Sequence, residues 1–136
     1  MTTQAALEKA VLEKLLDGKS EIFQILLRQY RASAVIKREM TGAGFFTYLS
    51  VPREIPPLPG SPSFSFGDVN ADLTRLKQGA GFLLTINRGY LYDLEGYSYE
   101  EPWPHEFELV RLFYDGNASR NEEKVIRSFH ARRPID

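Results

Sequence analysis

Six carboxylates fall between Asp93 and Glu108 (Asp93, Glu95, Glu100, Glu101, Glu106 and Glu108), with no lysine or arginine among them and with Tyr97, Tyr99, Trp103 and Phe107 interleaved. Side chains of these types support three kinds of chemistry. Acids beside aromatic faces receive a basic protein, the acids steering it and the rings anchoring it. Rings stack on sugars while carboxylates accept hydrogen bonds from hydroxyls. Two acids with separated pKa values exchange protons with a substrate. The plain alternative is that the acids face solvent while Tyr97 and Trp103 pack at the end of a sheet. Glu95 is the acid of most interest, because it follows Leu94 on an expected strand among aromatic residues, where burial raises a carboxyl pKa. Glu39, between Arg38 and Met40, is the second candidate. The expected binding residues are therefore Glu95, Tyr97, Tyr99, Trp103 and Glu39, with Asp93 as another carboxylate beside Glu95.

Other chemistries lack their residues. Gly42-Ala43-Gly44 and Gly79-Ala80-Gly81 have neither the Lys-Ser/Thr nor the third glycine of a phosphate loop and read as turns. No Gly-x-Ser-x-Gly elbow occurs. His105 and His130 have no second histidine at metal-ligand spacing and read as solvent-exposed. Cysteine is absent, which removes disulfides, thiolate ligands and Cys nucleophiles and fits a reducing compartment. No cofactor or metal is expected.

A formal net charge of −1 supplies no global field toward nucleic acid or an anionic membrane. The basic residues Arg120, Lys124, Arg127, Arg132 and Arg133 lie near the C-terminal end with Phe129 as the nearby ring, too few aromatics for a nucleic-acid face. They read as a solvated end or as partners for the acidic stretch. The opening residues mix acid and base before any apolar run and do not read as a signal peptide. No run approaches the ~18 apolar residues of a membrane span. The expected location is the cytoplasm.

The elements that must position these residues follow from hydrophobic period. Leu7, Val11, Leu12, Leu15 and Leu16 recur at helical spacing, with Glu8, Lys9, Glu13 and Lys14 on the other face. Asp17-Gly18 stops that helix, and Ser20 is the N-cap of a second, striped by Ile22, Phe23, Leu26, Leu27 and Tyr30. The period then becomes two. Residues 34–40 and 45–51 form a hairpin around Thr41–Gly44. Five prolines between Pro52 and Pro62 forbid a ladder strand there. Residues 64–66 read as a short strand, 69–76 are ambiguous, and Phe82–Asn87 pairs with Tyr90–Tyr97, Gly96 being a candidate bulge. Phe107–Tyr114 is a last strand.

Residues 118–136 read as a weakly packed tail or a short helix. The expected architecture is one α+β domain over residues 1–136, with two N-terminal helices on one face of an antiparallel sheet of about five or six strands. Its 136 residues suffice for one core without staples.

Three blocks resemble a family of small bacterial proteins of uncharacterised function: Arg38-Glu39-Met40-Thr41-Gly42-Ala43-Gly44-Phe45-Phe46-Thr47, Gly81-Phe82-Leu83-Leu84, and Leu91 to Pro104 with its Leu94-Glu95-Gly96-Tyr97-Ser98-Tyr99 and Trp103-Pro104. The resemblance covers about half the chain, mostly the sheet. It implies a bacterial source and a compact single domain, and it carries no activity with it. The reading leans away from an enzyme and toward a recognition domain that binds a basic protein partner or self-associates. The alternative is a small-ligand binder or enzyme with a carboxylate site around Glu95.

Overall fold

Thr3 is extended, and its hydroxyl accepts the Ala6 N–H at 3.1 Å, so helix α1 (Gln4–Leu15) begins there. In the computed structural model, which describes all 136 residues, the apolar stripe of α1 is removed from water: Leu7, Val11, Leu12, Leu15 and Leu16 are each 1 % exposed or less. Each such burial contributes roughly 1.5–3 kcal/mol. Helix α2 (Glu21–Ala32) follows with Ser20 at the N-cap position, but the Ser20 hydroxyl makes no cap bond. The Glu122 carboxylate accepts the Lys19 and Ser20 N–H groups at 2.9 to 3.2 Å and so fixes the turn that leads into α2.

Eight strands form one sheet: β1 (Ala34–Met40), β2 (Gly44–Ser50), β3 (Phe64–Phe66), β4 (Val69–Leu73), β5 (Ala80–Asn87), β6 (Tyr90–Ser98), β7 (Leu109–Tyr114) and β8 (His130–Ala131). All pairs are antiparallel, in the order β1-β2-β6-β5-β3-β8, with β4 pairing both β5 and β7. Strands β3 and β4 run successively along β5, so the sheet forks beyond it. The count exceeds the expected five or six because the ambiguous stretch at 69–76 supplies β4 and the C-terminal residues supply β8. Both helices lie on one face. Phe23 and Leu26 of α2 join Phe45, Phe82, Leu84 and Leu94 of the sheet in one core.

One further sequence expectation changes, and for the residues after 118 the short helix is the alternative that holds. Glu8, assigned to the solvent face of α1, is 3 % exposed. It accepts a bidentate pair from Arg38 at 2.7 and 2.8 Å and bonds from Thr47 Oγ1 and Gln4 Nε2, tying α1 to β1 and β2. The residues after 118 are docked. Helix α3 (Glu122–Arg127) buries Val125, and Phe129 stacks on Phe64 with centroids 4.3 Å apart. Arg120 pairs with Asp68 at 2.9 Å, donates to the Leu15 and Asp17 carbonyls at the end of α1, and lies over the Phe23 ring. Its side chain is only 6 % exposed. The carbonyls that a helix C-terminus leaves open explain why a guanidinium is wanted there.

The Pro-rich segment is a loop, as its prolines require. Gln29, fully buried in α2, holds it: Nε2 donates to the Pro56 and Gly89 carbonyls, and Oε1 accepts the Leu91 N–H. No helix is long and apolar enough to cross a membrane.

Candidate functional site

Strand alternation sends one set of side chains into the core and the other to a sheet face that no helix covers. Cross-strand register arranges that outer face in rows. Glu39 of β1 lies opposite Phe46 of β2, which lies opposite Glu95 of β6, which lies opposite Leu83 of β5. The next row along is Tyr48, Asp93, Thr85 and Ser65, with His130 beyond. A third joins Gly44, Tyr97, Gly81 and Asn70.

Rings dominate these rows. Phe46 and Tyr48 are stacked at 6.2 Å, Tyr92 meets Tyr48 edge-on at 5.9 Å, and Tyr97 meets Tyr99 edge-on at 5.6 Å. Tyr97 lies over Gly81: a Cβ at Gly81 would fall 2.6 Å from the Tyr97 ring, so only glycine admits the ring there. On the core side Phe45 presses on Gly96 in the same way, with 2.2 Å to a notional Cβ. Gly96 is therefore not the bulge. It stands in register with Phe45 and Phe82. The slip occurs between Thr85 and Ile86, opposite Tyr92, and it brings Tyr92 against Tyr48.

Among these rings sit two carboxylates. Asp93 is 8 % exposed, and burial pushes its pKa from 3.8 up to about 6. The Thr85 hydroxyl pulls down, Glu95 pushes up and Arg132 pulls down, each by less. Burial also raises Glu95, against the opposing pull of Arg132. Burial, aided by Tyr99 and Glu95, raises Tyr97 to about 12. None of the seven ion pairs in the fold includes Asp93 or Glu95. Arg132, the cation that acts on both, donates to Ser65 Oγ at 3.3 Å. It borders a depression of about 350 Å³ lined also by Ser65, Leu83 and His130.

The structure brings Glu95, Tyr97 and Tyr99 together and separates Trp103 from them. Trp103 is 6 % exposed, packed edge-on against Phe45 at 5.4 Å and Phe107 at 6.1 Å, with its backbone N–H donating to Gly42 O at 2.8 Å. Pro102 and Pro104 turn the chain back at the sheet end, and burying so large a ring is worth more than displaying it. Its Nε1–H has no partner in the protein. Glu39 shares the outer face and a row with Glu95, but β2 intervenes, so the strand axes stand roughly 10 Å apart. The two acids are not a proton-sharing pair.

Four of the six acids in the stretch leave the face. Glu101 accepts the Lys77 and Gln78 N–H groups, which lower its pKa. Glu108 pairs with the N-terminal ammonium, which lowers its own. Glu100 and Glu106 are solvated. The 93–108 stretch is thus not one continuous acidic patch.

Sequence reasoning missed Phe46, Tyr48 and Tyr92 as neighbours of Glu95, and it named Arg132 only within a basic group expected as a solvated end or as partners for the acidic stretch, not beside Glu95. Phe46 and Tyr48 were legible by alternation, since Phe45, Thr47 and Leu49 take the opposite face. Arg132 was not, because only β8 pairing brings it there. Compared with protein-family models, with curated proteins and with solved structures, the chain matches none.

Proposed function

We propose that this is a protein-recognition domain whose docking surface is the outer sheet face, centred on Phe46, Tyr48, Tyr92, Asp93, Glu95, Tyr97 and Tyr99. One observation carries the reading: Asp93 is buried and Glu95 half-buried among rings, and neither makes an ion pair. A desolvated carboxylate is costly unless paired. A lysine or arginine from a partner relieves that cost, while the rings offer flat apolar area at little entropic expense. The partner is therefore a cationic protein segment.

Titrating 15N-labelled protein with short Arg- and Lys-containing peptides tests this. Amide shifts centred on residues 46–48 and 92–97, abolished by the double variant Asp93→Asn, Glu95→Gln, are the expected result. Shifts confined to the helical face, or binding indifferent to the loss of both carboxylates, would refute it. A second reading has its own support. A carboxyl titrating near 6 beside another acid suits proton transfer on a small ligand. A thermal-shift screen of metabolites and sugars separates the two, since ligand at a hundredfold excess over Kd adds ~2.7 kcal/mol.

A further inference from the structure

Strand β1 has one partner. It stands at the end of the strand order, pairs only with β2, and is exposed at all seven positions. The Thr41 N–H donates inward to Gly44 O. By antiparallel alternation Glu39 also bonds toward β2, and Arg38 and Met40 turn their N–H and C=O groups outward, unpaired. Seven large apolar side chains are exposed in the whole fold, and three of them (Val35, Ile36 and Met40) sit on this one strand.

Edge strands are ordinarily guarded by charge, and lysine is a common guard. Here Lys37 is followed two residues later by Glu39, its ion-pair neighbour at 3.3 Å on the same face. That order makes the strand complementary to itself. In an antiparallel pair of two β1 strands centred on Arg38, Lys37 faces Glu39 of the partner subunit, and Glu39 faces Lys37 of the partner subunit. Ile36 is the extra residue of a bulge between Val35 and Lys37, so the regular part of this pairing is Lys37–Glu39 of each strand, with Ile36 at its margin beside Met40 of the partner subunit. The charged pairs fall at non-hydrogen-bonded positions, where opposing side chains come closest. Arg38, on the axis, is already neutralised beneath the sheet by Glu8. The other long edge, β7, carries Arg111 and no acid to answer it in a second copy.

We propose that β1 is a homodimer edge, pairing antiparallel with β1 of a second copy to continue the sheet across a two-fold axis. Opposed residues of an antiparallel pair share a face, so the axis is perpendicular to the sheet. Both outer faces then lie on the same side, and the dimer presents two ring platforms together. The inference does not depend on what those platforms bind.

Sedimentation equilibrium of the full chain across roughly 1 µM to 1 mM reads the association directly. Wild type is expected to shift to twice the monomer mass within that range, less so at high salt. Lys37→Glu opposes two acids at each symmetry-related position and is expected to weaken the dimer about tenfold or more; Glu39→Lys does the same with two bases. The double variant Lys37→Glu, Glu39→Lys inverts both and is expected to recover dimerisation to within about threefold of wild type. All four side chains involved are solvent-exposed, and circular dichroism checks that each variant is folded. A wild type monomeric throughout, a dimer indifferent to either single change, or a double variant no better than the singles overturns the proposal.

Discussion

Replacing Asp93 by asparagine should make the protein more stable at neutral pH. The side chain is 8 % exposed and its pKa rises from 3.8 to about 6 on folding. Between these values the folded state holds a proton that the unfolded state has released. Stability from this group is therefore complete below pH ~4 and falls as pH rises through about 6. A shift of about two units at roughly 1.4 kcal/mol each would give ~3 kcal/mol. The carboxylate sits at a sheet face that borders water, and solvent screening reduces that to roughly 1–2 kcal/mol. The asparagine side chain would keep the shape and the Thr85 contact while removing the charge.

The assay is urea denaturation at half-unit intervals from pH 4 to 8, with NMR titration of the Asp93 carboxyl carbon for the midpoint. Wild type should lose stability across pH 4 to 7 relative to Asp93→Asn, which should exceed wild type by roughly 1–2 kcal/mol at pH 7.5. Two curves that stay parallel throughout, or a variant weaker than wild type at pH 7.5, would show that burial does not strain this carboxylate.

The remaining expectations follow from the same contacts. Glu8→Ala strands the buried Thr47 hydroxyl and leaves Arg38 to rehydrate; since Arg38 is 40 % exposed, the loss belongs below the range for a fully buried pair, at about 2–3 kcal/mol by urea denaturation. Burial alone would raise the Glu8 pKa, but bonds from Arg38, Thr47 and Gln4 win and lower it below 4.5, so its stabilisation is present above that pH and lost as pH falls through the folded value. That slope should vanish in Glu8→Gln, opposite in sign to the Asp93 slope and lower in pH. Gly96→Ala drives a methyl into the Phe45 ring and should cost about 1–3 kcal/mol, read as a lowered Tm. Trp103 should emit at short wavelength, resist iodide quenching, and stay unchanged when peptide binds the outer face, because its ring lies in the core. Glu122→Gln should weaken the hold of α3 on the start of α2, seen as faster amide exchange at Lys19 and Ser20.

Local pattern was enough for the elements. The period of 3.6 through Leu16, the change to two after Ala34, and the prolines from 52 to 62 each act within a few residues, where backbone and burial preferences are expressed directly. Hence two helices, antiparallel strands and a loop were legible, and so was a raised pKa at Glu95. Long-range pairing lies beyond such reasoning. Glu8 looks solvent-facing until Arg38 and Thr47 arrive from two strands, and Glu122 looks like surface until it holds the turn ahead of a helix a hundred residues earlier. Acids adjacent in sequence from 93 to 108 part company because a strand, a turn and a proline corner point them different ways. The outer face was assembled from seven strands, since register, not sequence distance, decides which side chains become neighbours.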